Sequence, residues 1–375
     1  MTGRPEQAER VERVSTLELF FDLVFVFTIT QLTAVLSDDP TLRGLLRVVL
    51  MLGVIFWMYG GYAWMTNAVA TDRVARRLLL LGGMAGFLVL ALAIPAAFTD
   101  GDVAFGVAYL VIVSIHTGLY SRTGVPHTVR ALVRLAPFNL ASALLVLAAV
   151  MVEGTAAYLL WGAAFVLEWF TPRLAGVGGF RIAPAHFVER HGLVVIIAIG
   201  ESVIAVGIGA QELVVEAGMI AVALLGLALS ACLWWAYFGG DDARAERALT
   251  DAPPARRPAL ALAAYGYWHI PILLGIVATA SALEVAIAHP TAGLSTARAL
   301  ALGGGVGLYM VGDALFRRSL GLGPLAGRLG AAALALATVP IGTELSAIVQ
   351  LIALVVVLAA ILANDRPQAA RAAAV

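Results

Sequence analysis

The sequence predicts an all-α polytopic integral membrane protein of about twelve transmembrane helices, arranged as two parallel six-helix pseudo-repeats. Three observations carry that prediction. Hydrophobic residues make up 61% of the 375-residue chain and charged residues only 13%, where a soluble domain has about 45–50% and about 25%. Apolar runs of membrane-spanning length recur along the whole chain, and the arginines collect between alternate pairs of runs. With a mean hydropathy of +0.93, the chain carries too few charges to cover a soluble surface, so a lipid bilayer must cover it.

A hydrocarbon core about 30 Å thick needs about 20 apolar residues in helix. Runs of roughly that length lie at 17–37, 45–66, 78–98, 103–120, 135–152, 154–170, 191–210, 214–238, 260–288, 297–315, 325–341 and 343–364. They are numbered here as spans 1 to 12. Only Gly342 separates the last two. The first run follows a charged N-terminal stretch with no small-residue cleavage site, so it is expected as a retained helix rather than a signal peptide.

The arginines test this count. Placing the N-terminus in the cytoplasm and alternating the loops leaves Arg43, Arg47 and Arg298 outside and the other 21 of the 24 basic residues inside. The positive-inside rule asks for such a bias, and it puts both termini in the cytoplasm. Every basic residue is arginine, so the lysine of a phosphate-binding P-loop is lacking and energy from that motif is excluded. Net charge is zero, which gives a nucleic-acid partner no support. Cys232 is the single cysteine; it rules out an intrachain disulfide and a cysteine-based zinc site. No cofactor is indicated.

The two halves, 1–185 and 186–375, echo each other. Glu18 opens an aliphatic stretch that ends in Ala34-Val35, and Glu189 opens one that ends in Ala205-Val206. Trp57, Tyr59 and Gly60-Gly61 close the next span of the first half; Trp234, Trp235, Tyr237 and Gly239-Gly240 close that of the second. Leu119-Tyr120-Ser121-Arg122 is answered by Leu315-Phe316-Arg317-Arg318. Six helices per half make the repeats parallel, an architecture that many secondary transporters share.

The spans richest in charge also carry a family resemblance. STLELFFDLVFVFTITQLTAVL, Ser15 to Leu36, resembles the opening signature of the bacterial low temperature requirement protein A family. HFVERHGLVVIIAIGESVIAVG, His186 to Gly207, resembles its second signature. Glu-x-x-x-Asp, and His-x-x-Glu-Arg-His followed by Gly-Glu-Ser, are rare in apolar spans. The resemblance implies a many-helix bacterial membrane protein, hence the cytoplasmic membrane, and supplies no mechanism.

An ionisable side chain at mid-bilayer costs about 2.5–3.5 kcal/mol on insertion scales, so it faces a partner or a water-filled cavity. Glu201, about ten residues into its run and flanked by Gly200 and Ser202, is the foremost candidate for a proton or cation carrier. The competing reading is an acid that locks two helices together. Glu18 and Asp22, four apart, share one face of span 1, where acids also suit the helix N-terminus. Gln31 points to another face and suits an interhelical hydrogen bond. His186, Glu189, Arg190 and His191 cluster at the mouth of span 7, where a histidine could gate proton access or join an interfacial ion-pair network. Their spacing suits a metal poorly, since His191 lies off the face shared by His186 and Glu189.

Asp313, following Gly312 in a glycine-rich span, ranks above the other buried candidates His116, Asn139 and Glu284. Glu168 and Glu344 lie near helix ends and are expected to reach water. Gly82 with Gly86, and Gly303 with Gly307, are small-residue pairs that let helices approach closely. Trp57, Trp64, Trp234, Trp235 and Trp268 fit interfacial anchors better than an aromatic ligand box.

Taken together, these features predict a secondary transporter coupled to protons or another cation, moving a small molecule or ion between the halves. Glu201, Glu18 and Asp22 are its candidate coupling groups. The alternative is an intramembrane enzyme, or a lipid-modifying or membrane-adaptation factor, using the histidine and glutamate cluster of span 7 as acid/base machinery. Neither a Gly-x-Ser-x-Gly elbow nor a His-Glu-x-x-His pair supports it. A scaffold without turnover would leave the buried charges unexplained. The lipid bilayer is the expected partner, and assembly as a homo-oligomer is open to such a chain.

Overall fold

The computed structural model describes residues 14–68, 74–98, 103–122, 126–211 and 213–372. Every regular element among them is helical. The first half contains α1 (Thr16–Asp38), α2 (Leu42–Ala68), α3 (Val74–Ala93), α4 (Ala104–Ser121), α5 (Pro126–Ala149) and α6 (Gly154–Ala175). The second contains α7 (Pro184–Gly209), α8 (Ala217–Phe238), the short polar α9 (Asp241–Asp251), α10 (Arg257–Ala261), α11 (His269–Ala286), α12 (Thr296–Leu320), α13 (Ala326–Ala337), α14 (Val339–Glu344) and α15 (Ala347–Ala372).

Eleven helices among the described residues are long and apolar enough to cross a membrane. The expected count was about twelve; the difference is α6, which has the length, 22 residues. Glu168, Arg173 and three amphipathic rings, Tyr158, Trp161 and Trp169, dilute its apolar character. Span 9 is the continuous run of α10, a π-helical turn at Leu262–Tyr267, and α11. Span 11 is α13 and α14, interrupted at Thr338 two residues before Pro340.

Local chemistry sets where the helices start. Ser15 caps α1: its hydroxyl accepts from the Glu18 amide at 3.3 Å, and the Glu18 carboxylate accepts from the Ser15 amide at 2.9 Å. That reciprocal capping box satisfies two otherwise orphaned donors. α7 opens on Pro184, whose missing N–H costs nothing in a first turn. Its threshold is held by Asn67 of α2, which accepts from the Ala183 amide at 2.9 Å and donates to the Ala183 carbonyl at 3.1 Å. α12 ends on Gly321, whose φ of +70° a side chain would resist.

In the first half α1 lies against α2 and α3, α3 against α4, α4 against α5, α5 against α6, and α2 against α4 and α6. In the second, α7 lies against α8 and α11, α11 against α12, α12 against α13, α13 against α15, and α8 against α12 and α15. The halves meet where α1 and α2 pack on α7 and α11. α11 is the innermost helix, with nearly every residue from His269 to Ala286 buried. It crosses α12 at backbone contact: a Cβ on Gly275 would stand 2.5 Å from the Gly305 carbonyl oxygen.

The small-residue pairs work in the same way. Gly86 meets Ile112 of α4, while Gly303 and Gly307 meet the carbonyls of Ala335 and Ala332 on α13. Gly342 is not the divider between the last two spans, as the sequence suggests. It lies inside α14, with no room for a Cβ against the Gln350 side chain. The turn falls at 345–346, and Gln350 donates to the Ala299 carbonyl at 2.9 Å.

Candidate functional site

α1 and α7 run side by side and parallel, and polar side chains join them at three levels. At the first, His186 Nε2 lies 3.1 Å from the Glu18 carboxylate, and Asn67 Nδ2 lies 3.2 Å from His186 Nδ1. One turn deeper, Arg190 donates to Asp22 at 3.0 Å, and Tyr59 donates to the other Asp22 oxygen at 2.8 Å. The rings of Phe21 and Tyr59 sit 5.5 and 5.9 Å from the Arg190 guanidinium carbon, within cation–π range. Asp22 is 0% and Arg190 1% exposed. At that burial the charges are tolerated because each is paired.

The third level differs in kind. Thr30 of α1 donates to Glu201 of α7 at 2.6 Å, and Glu201 is 0% exposed. Among the described residues no basic side chain forms an ion pair with it; the charged neighbour that acts on it is another acid, Glu284 of α11. Ser37 of α1 donates to Glu284 at 2.6 Å. Two hydroxyls on α1 therefore serve two carboxyls, one on α7 and one on α11. The remaining oxygen of Glu201 and the hydroxyls of Ser202 and Thr33 are buried without a hydrogen-bond partner. A buried polar atom left unmade costs about 1–3 kcal/mol, so these oxygens are suited to receive a proton or a cation.

α7 begins about seven residues before the apolar run does, at Pro184 rather than near residue 191. At 1.5 Å per residue, Glu201 lies about 26 Å from that end and about 12 Å from Gly209. It is thus displaced toward the Gly209 end of the span, and the two ion pairs occupy the Pro184 end.

The structure divides the histidine and glutamate cluster of span 7. His186 and Arg190 face α1, whereas Glu189 is exposed and accepts from the Val14 amide at 3.3 Å. His191 turns the other way, with Nδ1 2.8 Å from the Phe187 carbonyl and its ring 5.9 Å from that of His269. His269 in turn lies 2.9 Å from the Tyr237 hydroxyl. Gln31 is half-buried and Ser202 buried. Among the described residues no three His, Cys, Asp or Glu side chains are arranged to hold a metal ion.

Asp313 belongs to a second buried network. It accepts from Arg328 at 2.6 Å, and Asp241 accepts from Arg317 at 3.0 Å while pairing also with Arg244. Arg328 comes within 3.9 Å of Asp241 and donates to the Ala236 carbonyl at 3.0 Å. This network ties the ends of α8, α9, α12 and α13 together. Arg190, Arg317 and Arg328 are therefore paired within helices rather than lying in loops. Glu168 does not reach water as its position suggests. It is 0% exposed and accepts from the hydroxyls of Ser142, at 2.6 Å, and Tyr109. Glu344 is exposed, as expected.

Thr30, Ser37, Tyr59 and Asn67 are not among the site residues expected from the sequence, although each partners one of the buried polar groups at this contact. The hydroxyls give no signal in an apolar helix, where serine and threonine commonly bond their own backbone. Glu284, expected only as a buried acid, is a further carboxyl about 10 Å beyond the Glu201 level, where Ser37 meets it.

Bacterial low temperature requirement A protein (LtrA) is the family that matches, over residues 13–363. An uncharacterized protein of Rhizobium meliloti (strain 1021) is 30% identical over 319 residues, which are 82% of this chain and 77% of the relative. The match spans both halves and all three levels of the α1–α7 contact, and the chain belongs to the bacterial low temperature requirement A family.

Proposed function

We propose that the protein is a secondary transporter of the bacterial cytoplasmic membrane, coupled to protons or another cation and moving a small molecule or ion. The observation that carries this reading is Glu201, fully buried between α1 and α7, served by one hydroxyl and no cation. Its second oxygen has no hydrogen-bond partner, and a carrier needs such an oxygen available. Glu284, whose partner Ser37 lies seven residues beyond Thr30 on α1, is a second carboxyl held about 10 Å further along that helix. Asp22 with Arg190 and Glu18 with His186 close the Pro184 end of the same contact, as an inner gate would.

The neighbour pattern supports two parallel six-helix repeats, residues 1–185 and 186–375. Each packing pair in the first half has its counterpart six spans later. A transport site would then lie where the halves meet. The acid/base alternative loses support from the separation of His186, Glu189 and His191, which share no common site.

The direct test is purified protein in proteoliposomes with an imposed pH gradient. Proton movement coupled to uptake or efflux of a solute supports transport. Gradient-independent chemical conversion of a lipid or solute, with no coupled flux, would replace it with the enzyme. Topology is tested separately. Reporters fused after Val375 and in the 99–103 loop should report opposite sides, with the Val375 fusion cytoplasmic. Both on one side would overturn the arginine-based orientation.

A further inference from the structure

The Thr30 hydroxyl at the third level has two acceptors within reach and one proton to give. Its oxygen lies 2.6 Å from Glu201 Oε2 and 3.3 Å from the Val26 carbonyl, one turn back on its own helix. When Glu201 is charged, that proton goes to the carboxylate. When Glu201 is protonated on the same oxygen, the carboxyl donates to the threonine oxygen and the hydroxyl turns to Val26. Rotation of one O–H bond therefore leaves both forms of the acid bonded, with no heavy atom moved. Asp22 has no such freedom, because Arg190 and Tyr59 hold its two oxygens.

The surroundings offer a metal cation much less. α1 and α7 run unbroken as Thr16–Asp38 and Pro184–Gly209, so the backbone carbonyls beside Glu201 are engaged by the next turn of helix. Sodium sites in transporters take such carbonyls from unwound helix. Among the neighbours, α8 has no acid, arginine or histidine. On α11, Glu284 meets Ser37, and His269 lies at the other end of the helix beside Tyr237. Arg43 and Arg47 of α2 turn to Tyr158 of α6, and α3 carries Arg76 and Arg77 in its first turn. The charged α9 follows Phe238, which meets Gly192 near the Pro184 end of α7.

We propose that Glu201 with Thr30 is a proton-exchange site that selects the proton over metal cations. Thr30 is its positioning residue, keeping the acid bonded in both forms. One O–H bond forms or breaks on Glu201 and the Thr30 hydroxyl reorients; no other bond changes. The inference rests on the transport reading only where it makes the proton the coupling ion. A hydroxyl bonds a carboxylate more strongly than a carboxylic acid, so its loss tilts the balance toward the neutral acid.

Infrared titration of the full chain in liposomes reads the protonated carboxyl through its carbonyl stretch. Glu168, another buried acid served by hydroxyls, has a band of its own, so the Glu201 band is the part absent from Glu201→Gln. It is expected to grow as pH falls, with the same midpoint in sodium chloride as in choline chloride. Thr30→Val should move that midpoint by about one pH unit toward the neutral acid, and Thr30→Ser should restore the parent value. A midpoint that moves when choline replaces sodium, or a Glu201 band that does not titrate, would overturn the proposal. So would Thr30→Val titrating as the parent does. If Glu201→Gln fails to fold, the comparison of sodium with choline on the parent decides. In proteoliposomes, solute flux driven by a sodium gradient would overturn the proton and leave transport standing. Absence of any coupled flux would remove transport, and the titration would still decide what Glu201 binds.

Discussion

Glu201→Gln is expected to insert, fold and melt as the parent does while losing gradient-driven activity at least tenfold. Glutamine keeps the length of the side chain and can still accept from Thr30 through its amide oxygen, the bond seen at 2.6 Å. What it cannot do is exchange a proton or neutralise a cation. If Glu201 only ties α1 to α7, its role is one hydrogen bond, worth about 0.5–1.5 kcal/mol, and glutamine supplies it. Glu201→Leu then separates the readings from the other side, because it deletes the hydrogen bond and leaves the Thr30 hydroxyl only the Val26 carbonyl, at 3.3 Å. Under the structural role Leu destabilises and Gln does not, with activity following stability. Under the coupling role both abolish coupled transport, and only Leu also lowers the melting temperature. Parent-like coupled activity in Glu201→Gln would remove this carboxyl from the mechanism and direct attention to Glu284, which Ser37 serves in the same manner.

The fold was legible because hydropathy is summed over twenty residues, and the lipid requirement acts on such sums. Eleven of the twelve expected runs correspond to helices long and apolar enough to span, and α6 fails only through polar residues interspersed in a helix of sufficient length. The ends were misjudged for one physical reason. Residues 184–190 look like a loop because Pro184, His186, Glu189 and Arg190 are hydrophilic when each is considered alone. They continue α7 because His186 and Arg190 meet Glu18 and Asp22, 168 positions away in sequence. Arg317 extends α12 past its apolar run in the same manner through Asp241. Hydropathy assigns each charge its cost in isolation, whereas a buried pair shares that cost.

The same limit applies to the site. Glu18, Asp22, His186, Arg190 and Glu201 were marked by their rarity in apolar helices, and the structure brings all five to the α1–α7 contact. Their partners were invisible: a threonine, a serine and a tyrosine in an apolar span carry no sign of which carboxyl they will meet. Glu168 was misjudged because distance along a helix does not give depth. Its neighbours Tyr109 and Ser142 on α4 and α5 enclose it.

Arg190→Met should be the most destabilising single change at this contact, by about 3–5 kcal/mol, the cost of leaving a buried partner unpaired. Methionine fills much of the space of the arginine stem but leaves Asp22 charged at 0% exposure, with the Tyr59 hydroxyl as its donor. The rings of Phe21 and Tyr59 would also lose their cation. Asp22→Asn alone strands the opposite charge and should destabilise through Arg190 instead. The double variant Asp22→Asn/Arg190→Met removes both charges and keeps an acceptor for Tyr59. It should therefore recover most of the loss, because a neutral replacement of a buried ion pair is often close to isoenergetic. Thermal melting of the four proteins in detergent completes the cycle. Strictly additive losses would mean that Asp22 and Arg190 stabilise the contact separately rather than as a pair. If instead the double variant melts like the parent and yet passes protons down a gradient without solute, the pair is the gate on the Pro184 end. Its charge then serves closure and not stability.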